Sequence, residues 1–280
     1  MQTLAPILVA TDGSSEARAA AAFARVLATR EAIPVVLLHV IDPRENLFDL
    51  SMDGPTRIER AERELLGTEA ALFHTPVRTL TSNGEPAVRV AEVAEQVGAG
   101  LVVIGTRGRG ALGRAIFGSV AMGVLRRQDR PVLVVREAVE AVRHVVVGID
   151  ESPLAGWAVQ AGRRVADATG ATLHLVHVLS TDRDLAARPE AYGIPREAWE
   201  QELQETADRV FGPHREVAGP GAQERLLFGG APERLGEYAR SLQAELLVVG
   251  RQGHSGRALQ HPWSVGVALA MKGPCATLVV

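Results

Sequence analysis

ILVATDGS, from Ile7 to Ser14, returns as VVVGIDES, from Val145 to Ser152, with Val145 standing 138 residues after Ile7. Each copy is a short apolar run without polar alternation, which is how a strand buried on both faces reads, closed by an aspartate and a serine that mark a turn into a helix. Working outward, LLHV at Leu37–Val40 recurs as LVHV at Leu175–Val178 with the same spacing. LVVIGTRG at Leu101–Gly108 recurs as LLVVGRQG at Leu246–Gly253, now 145 residues on, and the closing strands at 132–135 and 277–280 keep that wider spacing. The 280-residue chain is therefore a duplication, with domains expected at 1–138 and 142–280, a join near Glu137–Val142, and a longer middle segment in the second copy.

Within the first copy, apolar β-branched runs at Ile7–Thr11, Val35–Val40, Val77–Thr81, Leu101–Ile104 and Val132–Val135 alternate with stretches of helical period at Ser15–Thr29, Thr56–Leu72, Ala87–Val97 and Ser119–Arg126. Strands alternating with helices predict an α/β class, each half a parallel sheet with right-handed crossovers and helices on both faces. In the second copy, Ser152 followed by Pro153 reads as an N-cap with proline at the first helical position. In such a sheet, ligands meet the carboxyl ends of strands and the N-termini of the following helices, so the informative residues stand just after strands.

Composition narrows the chemistry. The net charge of −3 and 22% charged residues fit an ordinary globular protein and argue against a nucleic-acid coat. Cys275 is the single cysteine, which leaves no intramolecular disulfide and no multi-cysteine zinc site and makes a reducing, cytoplasmic location the expectation. No apolar run approaches the ~18 residues that span a bilayer, so no membrane partner is expected. Of the 30 basic residues only Lys272 is lysine, and it stands in Met271-Lys272-Gly273, which is not a Gly-Lys-Ser/Thr phosphate loop.

After the fourth strand comes Gly105-Thr106-Arg107-Gly108, then nine residues, then Gly118-Ser119 opening a helix. Glycine lets backbone N–H groups approach phosphate oxygens, Ser119 offers a hydroxyl, and Arg107, Arg109 and Arg114 offer charge. Asp12, after the first strand, could bind the polar edge of a nucleoside or merely close an Asx-turn or cap the helix; Asp150 holds the same place in the second copy. Val40 ends the second strand, where its backbone could pair with a base edge, though by itself it reads as core. His39 and His177 read as packed strand-end residues, and His254 and His261 as weak metal candidates lacking a third ligand.

Gly105-x2-Gly108-x9-Gly118-Ser119, together with ILVATDGS, LLHV and the terminal PVLVV at Pro131–Val135, resembles the ATP-binding branch of the universal stress protein family, over both halves. The resemblance implies two tandem doubly wound domains, each with strand order 3-2-1-4-5 and a crevice between strands one and four. It implies ATP or ADP, with or without magnesium, held by Asp12 and Val40 at the adenosine, Gly105 at the ribose, and Gly108, Gly118 and Ser119 at the phosphates. It also implies an unidentified protein partner, pairing of the two halves through 132–135 and 277–280, and room for a homodimer.

In the second copy, Asp150, Val178, Gly250, Gly253 and Ser264 match that pattern, but Trp263 stands where Gly118 would, after His261-Pro262. An indole there would fill phosphate space, so the second site is expected to be degenerate, unless Trp263 turns away between the halves. The function expected is nucleotide-dependent regulation in a stress response. The competing readings are a slow ATPase or nucleotidyl-transfer enzyme and a nucleotide-independent interaction module.

Overall fold

A computed structural model of the chain describes residues 5–42, 63–108, 117–152, 154–251 and 264–280. The chain divides into two compact units, Met1–Glu140 and Ala141–Val280. In the first, β1 (Ile7–Ala10), β2 (Val35–Ile41), β3 (Val77–Asn83), β4 (Leu101–Gly105) and β5 (Val132–Val135) alternate with α1 (Ser15–Glu31), α2 (63–70), α3 (Pro86–Gln96) and α4 (Ser119–Arg127). All four pairings are parallel and run β3-β2-β1-β4-β5. Connections that step outward from β1 to β3 and then return to β4 and β5 place their right-handed crossover helices on opposite faces, and α3 packs on α4 accordingly.

The second unit repeats this plan with β6 (His144–Gly148), β7 (Thr172–Leu179), β8 (Gln223–Phe228), β9 (Leu246–Val249) and β10 (Ala276–Val279). Its parallel order is β8-β7-β6-β9-β10, the same arrangement. Its helices are α5 (Ala155–Thr169), α6 (Arg183–Ala187), α7 (Arg196–Phe211), α8 (Arg215–Ala218), α9 (Ala231–Ser241) and α10 (Val265–Lys272). The longer middle segment lies between β7 and β8 and carries α6 to α8.

The elements follow from their residues. Val102, Val103, Val132, Leu133, Val134 and Val135 are all buried, as unbroken apolar strands covered on both faces must be. In α1, Ala17, Ala20, Ala21, Ala24 and Ala28 bury beside Phe23 and Leu27. Such small side chains bring the helix backbone close to the sheet: a Cβ added at Gly105 would lie 2.8 Å from the Glu16 carbonyl carbon. Glycine at the end of β4 is therefore already required by packing, whatever else meets it.

Two boundaries differ from the sequence reading. β1 stops at Ala10, whereas β2 and β3 stay paired three residues beyond it, to Ile41 and Asn83. Ser152 is not the N-cap of α5: Leu154 holds that position without a side-chain bond, while the Ser152 carbonyl accepts from Ala155 N–H in a preceding turn. The Ser152 amide donates to Asp150 Oδ1 (3.0 Å), the same Asx-turn that Ser14 makes with Asp12, but here the helix begins two residues later. Pro153 lies outside the described residues.

Candidate functional site

At the carboxyl edge of the first sheet, the early end of β1 leaves β2 protruding. In a parallel strand the N–H and C=O of one residue point the same way, and alternate residues point to opposite neighbours. The Leu38 carbonyl accepts from Thr11 N–H (2.8 Å), so Leu38 faces β1. Two residues on, Val40 must face the same side, where β1 has ended. Its backbone pair is thereby presented to the crevice, and its side chain is half-buried.

Asp12 stands beside this edge. Its Oδ1 accepts from Ser14 N–H (3.0 Å), the Asx-turn, while the helix cap is made by Ser14, whose hydroxyl accepts from Ala17 N–H (3.2 Å). Asp12 thus forms the turn and leaves capping to its neighbour. A Cβ placed on Gly108 would come within 2.5 Å of Asp12 Oδ2. The second glycine of the motif therefore lets the loop after β4 lie against the aspartate after β1 without the carboxylate having to move.

The loop is pinned at both ends. Thr106 N–H donates to the Val135 carbonyl (3.0 Å), and Gly118 N–H donates to the Thr106 carbonyl (2.8 Å). A Cβ at Gly118 would stand 2.9 Å from that carbonyl oxygen and 3.3 Å from Arg107 Cα. Gly118 therefore closes the loop, its amide already engaged, and serves as the N-cap of α4, which no side chain caps. Ser119 is the first residue of α4 and is exposed. Arg107, expected at a phosphate, instead pairs with Glu16 in the first turn of α1 (2.6 Å). The Ser15 hydroxyl bond, with Arg107 beside it, holds the Glu16 carboxyl below the usual range against the opposing effect of burial. Arg109 and Arg114 lie outside the described residues.

Two residues not counted as candidates from the sequence join this group. His39 Nδ1 lies 2.7 Å from the Thr11 carbonyl; since a carbonyl only accepts, Nδ1 carries the proton. Glu69, on α2, is 4% exposed and accepts from the Thr11 hydroxyl at Oε1 (2.9 Å), while the Thr11 hydroxyl oxygen accepts from Gly13 N–H (3.1 Å). Burial raises the Glu69 pKa, and the nearby Asp12 carboxylate adds to that. The available signal was periodicity: Glu69 falls in phase with Leu66 and Phe73, both buried, so a carboxyl on the helix's inner face stood in plain sight.

The second unit keeps the outline and loses the details. Asp150 Oδ1 accepts from Ser152 N–H, His177 Nδ1 donates to the Ile149 carbonyl (2.9 Å), and Arg251 N–H donates to the Val280 carbonyl (2.6 Å), each echoing the first unit. The Val176 carbonyl accepts from Ile149 N–H, so Val178 faces the end of β6 as Val40 faces the end of β1. Gly250 directly follows β9. Ser264, in sequence register with Ser119, does not occupy the same place: it is the buried N-cap of α10, its hydroxyl accepting from Val267 N–H (3.2 Å). Its hydroxyl oxygen is thus engaged in capping, which the Ser119 hydroxyl is not. Ile149 stands where the first unit has Thr11, so the polar lock to a carboxyl has no counterpart there. Gly253, His254, His261 and Trp263 lie outside the described residues.

Comparison with known proteins matches the universal stress protein family model twice, over residues 4–136 and 141–280. A universal stress protein of Mycobacterium tuberculosis is 27% identical over 277 residues, covering 89% of this chain and 88% of its own. One from Thermus aquaticus is 35% identical over 136 residues, 46% of this chain and 97% of its own length. The crystal structure of a universal stress protein from Archaeoglobus fulgidus superposes with a TM-score of 0.67 at 19% identity, covering 98% of this chain and 95% of that one, a likeness of fold.

Proposed function

The chain belongs to the universal stress protein family, and from that premise we propose that its first unit is a regulatory module that binds ATP or ADP and passes its occupancy on through conformation or choice of protein partner. The observation that carries this reading is the seam between Asp12 and Gly108, where a single added Cβ would strike the carboxylate. A loop built to approach an aspartate this closely, beside the protruding Val40 backbone and before an uncapped helix, offers hydrogen-bond partners at one end and anion-binding N–H groups at the other.

In this reading Asp12 accepts from the nucleoside and the Val40 backbone meets the base edge. Gly105 lets the ribose approach. Gly108 brings the loop backbone close to Asp12 and to the phosphates. Gly118 shapes the loop, and the first turn of α4, with the Ser119 hydroxyl, takes the phosphates. Arg107 reaches them by leaving Glu16. A magnesium ion, if it accompanies the triphosphate, enters with the phosphate oxygens.

Titration calorimetry of the full chain with ATP, ADP and GTP tests the reading. Wild type is expected to bind the adenine nucleotides, and Gly108→Ala to lose at least about tenfold, roughly 1.4 kcal/mol. Equal affinity in Gly108→Ala would overturn the assignment of this crevice.

A further inference from the structure

Oε2 of Glu69 is buried and has no hydrogen-bond partner among the described residues, while Oε1 receives the Thr11 hydroxyl. A buried oxygen left in this way costs stability, and an apolar side chain at the same point of α2 would remove the cost. The carboxyl also sits in a charged neighbourhood: Asp12 from the turn after β1, Arg18 from α1 and His39 from β2 all act on it. All of these lie at the nucleoside end of the crevice. None lies in the glycine loop.

The bonds form one chain. Glu69 orients the Thr11 hydroxyl, whose oxygen is then aimed to accept Gly13 N–H, and the Thr11 carbonyl accepts from His39 Nδ1–H. Between Thr11 and Gly13 stands Asp12, so both peptide groups flanking it are fixed from outside the turn. A hydroxyl has one proton; given to Glu69, its lone pairs are free for the amide. Without the carboxyl, that proton seeks another acceptor and the hydroxyl rotates, and the turn carrying Asp12 loses its definition. The second unit has Ile149 at the equivalent of Thr11, so the device belongs to the first crevice alone.

We propose that Glu69 is a positioning residue for nucleotide recognition: through Thr11 and Gly13 it sets the Asp12 turn, and its carboxyl occupies an unfavourable buried place for the sake of that turn rather than for stability. The proposal rests on the nucleotide reading given above. It predicts an inversion that a purely structural carboxyl would not show, with stability held or raised while affinity falls.

The experiment uses the full chain and four variants, with ATP affinity by calorimetry and stability by chemical unfolding. Thr11→Val/Glu69→Leu replaces both ends of the buried bond by apolar groups; it is expected to unfold no earlier than wild type and to bind ATP at least tenfold more weakly. Glu69→Gln keeps an acceptor for the Thr11 hydroxyl and is expected to retain affinity within threefold. Glu69→Leu alone should lose as much affinity as the double variant, because the two residues act as one unit. Leu66→Ala, on the same buried face of α2, is the control: it lowers stability and leaves affinity unchanged. Wild-type affinity in the double variant overturns the proposal, as does a loss of binding that tracks stability across all four. If wild type itself binds no adenine nucleotide, the failure belongs to the functional reading and not to Glu69.

Discussion

Arg107 shows how a residue's chemistry can be read from sequence while its partner cannot. The guanidinium after Gly105 is expected at an anion, and the structure supplies one already in place, Glu16. In the proposed binding mode a phosphate reaching Arg107 displaces that carboxylate, so the two compete. Glu16→Gln is therefore expected to tighten ATP binding roughly fivefold, the ~1 kcal/mol of a partly exposed ion pair no longer having to be broken, and Arg107→Ala to weaken it; calorimetry on the two variants decides, and a looser Glu16→Gln would contradict the competition. Gly118 behaves differently. Since a Cβ there meets the Thr106 carbonyl at 2.9 Å, Gly118→Ala should lower stability by roughly 1–3 kcal/mol as well as affinity, which makes Gly108 the cleaner site for testing binding. Glycine and aspartate were legible because few other residues suit those backbone positions. The Glu16 and Glu69 contacts were not, because each joins side chains from different elements whose distance only folding sets.

At the scale of elements, alternation and period placed the five strands and α1, α3 and α4 of the first unit to within a few residues, because strands buried on both faces have nowhere to hide their apolar runs; the start of the helix expected at Thr56–Leu72 lies outside the described residues. What they missed was relative length. That β2 outruns β1 decides where Val40 points, and it follows from register, which a single strand's sequence does not carry. Caps divide the two loop helices in the same way: α4 opens uncapped at Gly118 and α10 opens on Ser264. Ser264→Ala is expected to cost about 1 kcal/mol in chemical unfolding and nothing in ATP affinity. A second element-level effect concerns β7. His174, 1% exposed, lies between His144 Nδ1 and the Tyr238 hydroxyl, each at 3.1 Å, and burial, helped by His144 and Arg225, pushes its pKa down to about 4. The folded state refuses a proton that the unfolded chain accepts below about 6.5, so this stability is complete above that pH and lost as pH falls toward 4, by up to about 3 kcal/mol. Unfolding midpoints measured across that window should fall in wild type and flatten in His174→Leu.

For the whole molecule, the duplication itself was the most legible feature, since two copies of a strand, turn and glycine motif in the same order leave little choice of architecture. Equivalence of the copies does not follow from it. The first unit has Thr11 locked to Glu69, an uncapped α4 and Gly118 closing its loop. In the second, Ile149 replaces the lock, Ser264 is engaged in capping, and Trp263 stands in sequence where Gly118 would. These differences support the expectation that the second site is degenerate, even though Asp150 and Val178 repeat the outline of its nucleoside end. The expected stoichiometry is one adenine nucleotide per chain. Asp12→Ala should abolish that binding, whereas Asp150→Ala should leave both stoichiometry and affinity unchanged. Two equivalent sites in calorimetry, or a stoichiometry that drops with Asp150→Ala, would show that the outline alone suffices for binding and that Thr11, Glu69 and Gly118 have been given too much weight.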